Sequence, residues 1–110
     1  MNTDLLIGLI RQASTDLPSD VEAALSAARD REAAESPAEK ALATILQNVA
    51  LARKRSTPIC QDTGMPIFYV HHPLGTNIRQ LQANIEAAVA QATRRAYLRP
   101  NAVDPISGRN

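Results

Sequence analysis

Pro58-Ile59-Cys60-Gln61-Asp62-Thr63-Gly64 divides the chain. It holds the only cysteine, followed by an amide, a carboxylate, a hydroxyl and a glycine. Upstream the pattern is helical. Pro58 disfavours helix at Thr57, and Gly64 permits a tight or left-handed backbone. The stretch therefore reads as a loop over residues 58–64 that ends one helical region and opens another.

Working back from the loop, Ala41, Leu42, Ile45, Leu46, Val49 and Ala50 form a broad apolar stripe. It predicts a helix over 37–55 that should contribute most to the core. Ser36-Pro37-Ala38-Glu39 marks its start, with proline at the first helical position. Ser19-Asp20-Val21-Glu22 has the same capping-box form and predicts a helix over 20–35, with Ser19 as the cap. Leu5, Leu6, Leu9, Ile10 and Ala13 recur at helical spacing and predict a first helix over 3–14.

Working forward, Pro66-Ile67-Phe68-Tyr69-Val70 is β-branched and aromatic and predicts a short strand over about 66–71. His71-His72-Pro73-Leu74-Gly75 reads as a solvated loop. Thr76 or Asn77 then caps a helix over 77–98 whose stripe runs through Ile78, Leu81, Ile85, Ala88, Val89 and Ala92. Arg99 falls at the helix exit, before Pro100. Asp104 to Asn110 is polar and turn-rich, with the look of a chain stopped in mid-loop. The expected class is α+β and predominantly helical: about four helices, one short strand after the Cys60 loop, and a partial domain of a larger enzyme.

Bulk properties narrow the functions. With 110 residues the chain is one domain at most. Aromatics are only 3%, with no Trp, so the core must come from Leu, Ile, Val and Ala. Twelve Lys and Arg against 11 Asp and Glu give a net charge of +1, which leaves no electrostatic footprint for nucleic acid. Arg53-Lys54-Arg55 is read as the charged last turn of a helix, because no stacking aromatics accompany it. No apolar stretch is long enough to span a bilayer and no leader pattern opens the chain, so the expected location is the cytoplasm.

Residue chemistry leaves alternatives open at Cys60. It is a nucleophile, a metal or cluster ligand, or a packed thiol. A nucleophile needs a base, and the candidates His71 and His72 lie beyond the predicted strand. A ligand suits a loop that presents its thiolate to a cavity, with Gln61 and Asp62 lining the same pocket: an amide to orient a substrate oxygen, a carboxylate to move a proton. Asp-Thr-Gly is equally a good Asx turn. Arg99 has a planar fork suited to a carboxylate.

The run P-I-C-Q-D-T-G, a short apolar segment, a helix and then Y-L-R-P-N-A-V-D-P together resemble the α subunit, or corresponding N-terminal region, of class I fumarate hydratases and L(+)-tartrate dehydratases. These are iron-sulfur hydro-lyases. The resemblance implies that Cys60 is a ligand of a 4Fe-4S cluster whose further ligands are absent from this chain. It implies that Gln61 and Asp62 contact the substrate, with Asp62 as the catalytic proton-transfer group, and that Arg99 grips a substrate carboxylate. The implied reaction is reversible hydration of a small dicarboxylate, fumarate favoured over tartrate because of D-P-I-S-G after the arginine. The implied partners are the remainder of the α region, a β subunit or C-terminal domain, and further copies in an oligomer. Residues 1–110 would then be the N-terminal portion of such a subunit, inactive alone. The rival reading is a non-catalytic helical interaction module in which Cys60 is packed.

Overall fold

A computed structural model describes residues 2–109. Four helices follow in order: α1 (Thr3–Thr15), α2 (Ser19–Arg31), α3 (Pro37–Arg55) and α4 (Ile78–Arg94). They pack as two pairs, α1 with α4 and α2 with α3, joined by a small contact between α1 and α3. The arrangement is open. The radius of gyration is 17.8 Å, against about 13 Å for a compact chain of this length.

The main core lies in the α1–α4 seam. Leu6, Ile7 and Ile10 pack there with Ala88, Ala92 and Leu98, and Phe68, Ile85, Val89 and Tyr97 flank them. Ala88 and Ala92 are fully buried. Their short side chains let the two helices approach until the larger residues of α1 fill the space between. The stripe of α3 contributes less than its pattern suggests. Only Val49 and Ala52 are buried there, and Ile45 is 45% exposed.

Caps explain where the helices begin. Asn2 accepts from the Asp4 amide (3.0 Å), Ser36 from the Glu39 amide (3.1 Å) and Asn77 from the Gln80 amide (3.0 Å). Each satisfies an amide that the first turn leaves orphaned, a contribution of about 1 kcal/mol. The expected box at Ser19 is not made. Pro18 occupies the cap position with no side-chain cap bond, and Ser19 is already helical. Glu22 turns instead to Arg53 in α3 (2.6 Å). Its hydrogen bond first, and its charge second, push the guanidinium pKa further up.

The α+β class is not what forms. No strand occurs among the described residues, and the fold is all-α. Residues 66–71 have no regular secondary structure, and no main-chain hydrogen bond joins them to another segment. The β-branched and aromatic composition predicts a strand there, but a strand needs a neighbour for its N–H and C=O groups, and none is present among the described residues. The side chains alternate: Ile67 and Tyr69 are 74% and 89% exposed, whereas Phe68 turns towards the core.

Two helices end in left-handed caps on residues other than glycine. At Ser56 (φ 51°) the Thr57 amide donates back to Ala52 (3.1 Å), and at Ala96 (φ 60°) the Tyr97 amide donates back to Ala92 (2.9 Å). Both are Schellman closures. The second stops α4 at Arg94, short of the expected 98, and drops Leu98 into the core. No helix among the described residues is long and apolar enough to cross a membrane.

Ala92→Leu should overpack the seam and lower stability by about 1–3 kcal/mol in denaturant titration. Ala87→Leu, on the exposed face of the same helix, should shift it by no more than about 0.5 kcal/mol.

Candidate functional site

The loop over 58–64 is held at both ends. At its start the Ile59 amide donates to the Ser14 carbonyl at the end of α1 (3.1 Å), and the Ile59 carbonyl accepts from Asn48 Nδ2 in α3 (2.9 Å). Arg11 reaches Ser56 Oγ at 3.5 Å, so α1 also meets the cap of α3. The main chain of Ile59 is thus satisfied by two helices, which sets Cys60 on an anchored base.

At its other end the loop meets the segment after α4. Thr63 Oγ1 accepts from the Arg99 amide (3.1 Å) and from Asn101 Nδ2 (3.3 Å). The same Asn101 nitrogen donates to Asp62 Oδ1 (3.0 Å), which also accepts from the Gly64 amide (2.9 Å). The last bond is an Asx turn, after which the backbone of Gly64 is left-handed (φ 65°). The turn reading of Asp-Thr-Gly and the pocket reading are therefore compatible. One oxygen of Asp62 shapes the turn and the other has no partner among the described residues.

Cys60, Gln61, Asp62 and Arg99 are all exposed. The Cys60 thiol is not packed among the described residues. The Arg99 guanidinium makes no hydrogen bond or ion pair with the described residues, so its five donors face outward. A cleft of about 520 Å³ opens beside it, between Thr63, Gly64, Val89, Leu98, Arg99 and Asn101. His71 and His72 line a different recess, with Asn77 and Gln80 of the α4 entry and no residue of the Cys60 loop. His72 Nδ1 sits 3.1 Å from the Pro73 carbonyl. A Cys–His nucleophile pair finds no support in that arrangement.

No group of three or more His, Cys, Asp or Glu that could hold a metal ion occurs among the described residues. A single exposed loop thiol has the donor chemistry of one corner of an iron-sulfur cluster and no more. The residues present fit such a group as a partial ligand set.

Sequence reasoning put the Cys60 loop and Arg99 into one site, and hydrogen bonds at Thr63 join the two segments. It missed Asn101, Asn48 and Ser14. The L-R-P-N run contained Asn101, but its partners lie 38 and 39 residues away. Asn48 carried a weaker signal, a poor helix former within an otherwise good helix.

The fumarate hydratase (Fumerase) family profile matches residues 3–110. The chain belongs to that family. It is 46% identical over 102 residues to a protein of Geobacillus stearothermophilus named as a class I fumarate hydratase, covering 93% of this chain and 20% of that one. It is 34% identical over 113 residues to a protein of Methanocaldococcus jannaschii named as an L(+)-tartrate dehydratase subunit alpha, covering 98% and 39%. The L(+)-tartrate dehydratase subunit alpha of Escherichia coli K12 is 33% identical over 106 residues, covering 93% and 34%. The chain thus spans between a fifth and two-fifths of the length of these relatives.

A turn over 104–109 follows the site. Asp104 Oδ1 accepts from the Ser107 amide (2.7 Å) and the Ile106 amide (2.9 Å). Bonds from Ser107 first, and then from Ile106, hold the Asp104 carboxyl below its ordinary pKa. A lowered folded value means that the turn gains stability above the ordinary aspartate pKa of about 3.9 and loses it as pH falls through the lower folded value. Exchange of the Ile106 and Ser107 amides, corrected for intrinsic rate, should accelerate below about pH 3.9, and Asp104→Asn should remove that pH dependence.

Thr63→Val keeps the shape of the side chain but leaves the Arg99 amide without its acceptor. It should cost about 1 kcal/mol and speed exchange of that one amide by roughly fivefold, read by NMR.

Proposed function

We propose that this chain is the N-terminal part of the α region of an iron-sulfur hydro-lyase that adds water reversibly across the carbon–carbon double bond of a dicarboxylate. The observation that carries the proposal is the junction at Thr63, where the Cys60–Gly64 loop is bonded to the Arg99–Asn101 segment. The thiol of Cys60, the amide of Gln61, the carboxylate of Asp62 and the guanidinium of Arg99 belong to these two joined segments, and each residue is exposed.

Cys60 supplies one thiolate to a 4Fe-4S cluster, the other ligands coming from sequence beyond these residues. When bound, such a cluster supplies a Lewis acid for the substrate's hydroxyl oxygen. Arg99 binds one substrate carboxylate through two parallel N–H···O bonds, which fixes both position and plane. Gln61 orients a second oxygen through its amide. Asp62 uses its unpartnered oxygen to hold or move the proton that accompanies water, while the oxygen bound by Gly64 and Asn101 keeps the carboxylate in place.

Fumarate is the favoured substrate. Identity is 46% to the relative named for fumarate hydration, against 33–34% to those named for tartrate dehydration. The remainder of the α region, a β subunit or C-terminal domain, and further copies complete the enzyme. The open shape, in which Met65, Ile67 and Tyr69 stay exposed, suits a chain that is covered by further polypeptide. The cytoplasm is its proposed location.

In the complete enzyme, Cys60→Ser should lower bound iron and sulfide and abolish fumarate hydration. Wild-type levels of both would remove Cys60 as a ligand. Asp62→Asn should retain the cluster and lower kcat by about 10²- to 10⁴-fold; unchanged turnover would remove Asp62 from catalysis.

A further inference from the structure

We infer that Asn101 is a positioning residue for Asp62, and that it fixes the spacing between the proton-transfer carboxylate and the Arg99 clamp. The inference rests on the reading of Asp62 as the proton-transfer group. It adds a residue that acts on the carboxylate through a hydrogen bond to Asp62.

Pro100 fixes the backbone between Arg99 and Asn101. The Asn101 amide donates to the Arg99 carbonyl two residues back (2.8 Å), a tight turn that folds the side chain towards the loop. There its Nδ2 has two hydrogens and two acceptors, Asp62 Oδ1 at 3.0 Å and Thr63 Oγ1 at 3.3 Å. Tethering the two segments would need only Thr63, which already takes the Arg99 amide. The bond to Asp62 is additional, and it acts on the carboxylate itself.

Its effect is directional. Oδ1 is engaged twice, by a backbone amide of its own loop and by a side chain from 39 residues away. Rotation of the carboxylate would break both bonds, so Oδ2 keeps one orientation. Because Asn101 and Arg99 are two residues apart in one turn, that orientation is registered to the guanidinium that grips the substrate. A carboxylate on an exposed loop otherwise samples several rotamers, and catalysis suffers from misplacements of about 1 Å.

The test is a double-mutant cycle on the complete enzyme, with iron content and circular dichroism checked for each variant. Asn101→Ala is expected to lower kcat by about tenfold to a hundredfold, the range met when a partner that orients a functional group is lost, while KM stays within about threefold. Asn101→Asp keeps the volume but replaces a donor by a like charge, and should lose more than Asn101→Ala. In the Asp62→Asn background, Asn101→Ala should cause no further loss, because the group it positions is gone. Unchanged kcat for Asn101→Ala, a milder effect of the isosteric Asn101→Asp, or equal fold-losses in both backgrounds would each overturn the inference while leaving an inactive Asp62→Asn to support the catalytic reading. Full turnover of Asp62→Asn would overturn both.

Discussion

The close approach of α1 and α4, permitted by Ala88 and Ala92, positions both anchors of the candidate site. With these alanines fully buried, Leu6, Ile7 and Ile10 of α1 reach Leu98 beyond the end of α4. The end of α1 then supplies the Ser14 carbonyl to Ile59, and the chain leaving α4 supplies the Arg99 amide to Thr63. The loop between these anchors carries Cys60, Gln61 and Asp62. A wider seam would separate the two anchors and release the loop from one of them.

Several local features were legible because the groups involved are close in sequence. Ser36-Pro37-Ala38-Glu39 starts α3 as expected, and Asn77 caps α4, since a cap is decided within four residues. The juxtaposition of the Cys60 loop and Arg99 was legible only through family resemblance. Nothing in periodicity or spacing encodes a bond between residues 63 and 99.

Other features were decided by distant partners and misread for that reason. Glu22 was expected to return a bond to its own helix start, but Arg53, 31 residues on, offers it a charged donor instead. Residues 66–71 have the composition of a strand and lack a partner to pair with, so no strand forms. The end of α4 carries no glycine, and Ala96 adopts the left-handed conformation at some cost because Leu98 then reaches the core. Asn101 went unnoticed because its role depends on two acceptors that only folding brings near.

The structure thus presents a loop with an exposed thiol, a carboxylate held by one oxygen, and an exposed arginine. Membership of the fumarate hydratase family is the ground for the common role proposed for these groups. The most direct measurement is a crystal structure of the complete enzyme with a bound dicarboxylate. The account predicts the Cys60 sulfur on a cluster iron, with Gln61, Asp62 and Arg99 all within hydrogen-bond distance of the same ligand. A dicarboxylate turned over at a site that none of these four residues touches would contradict it.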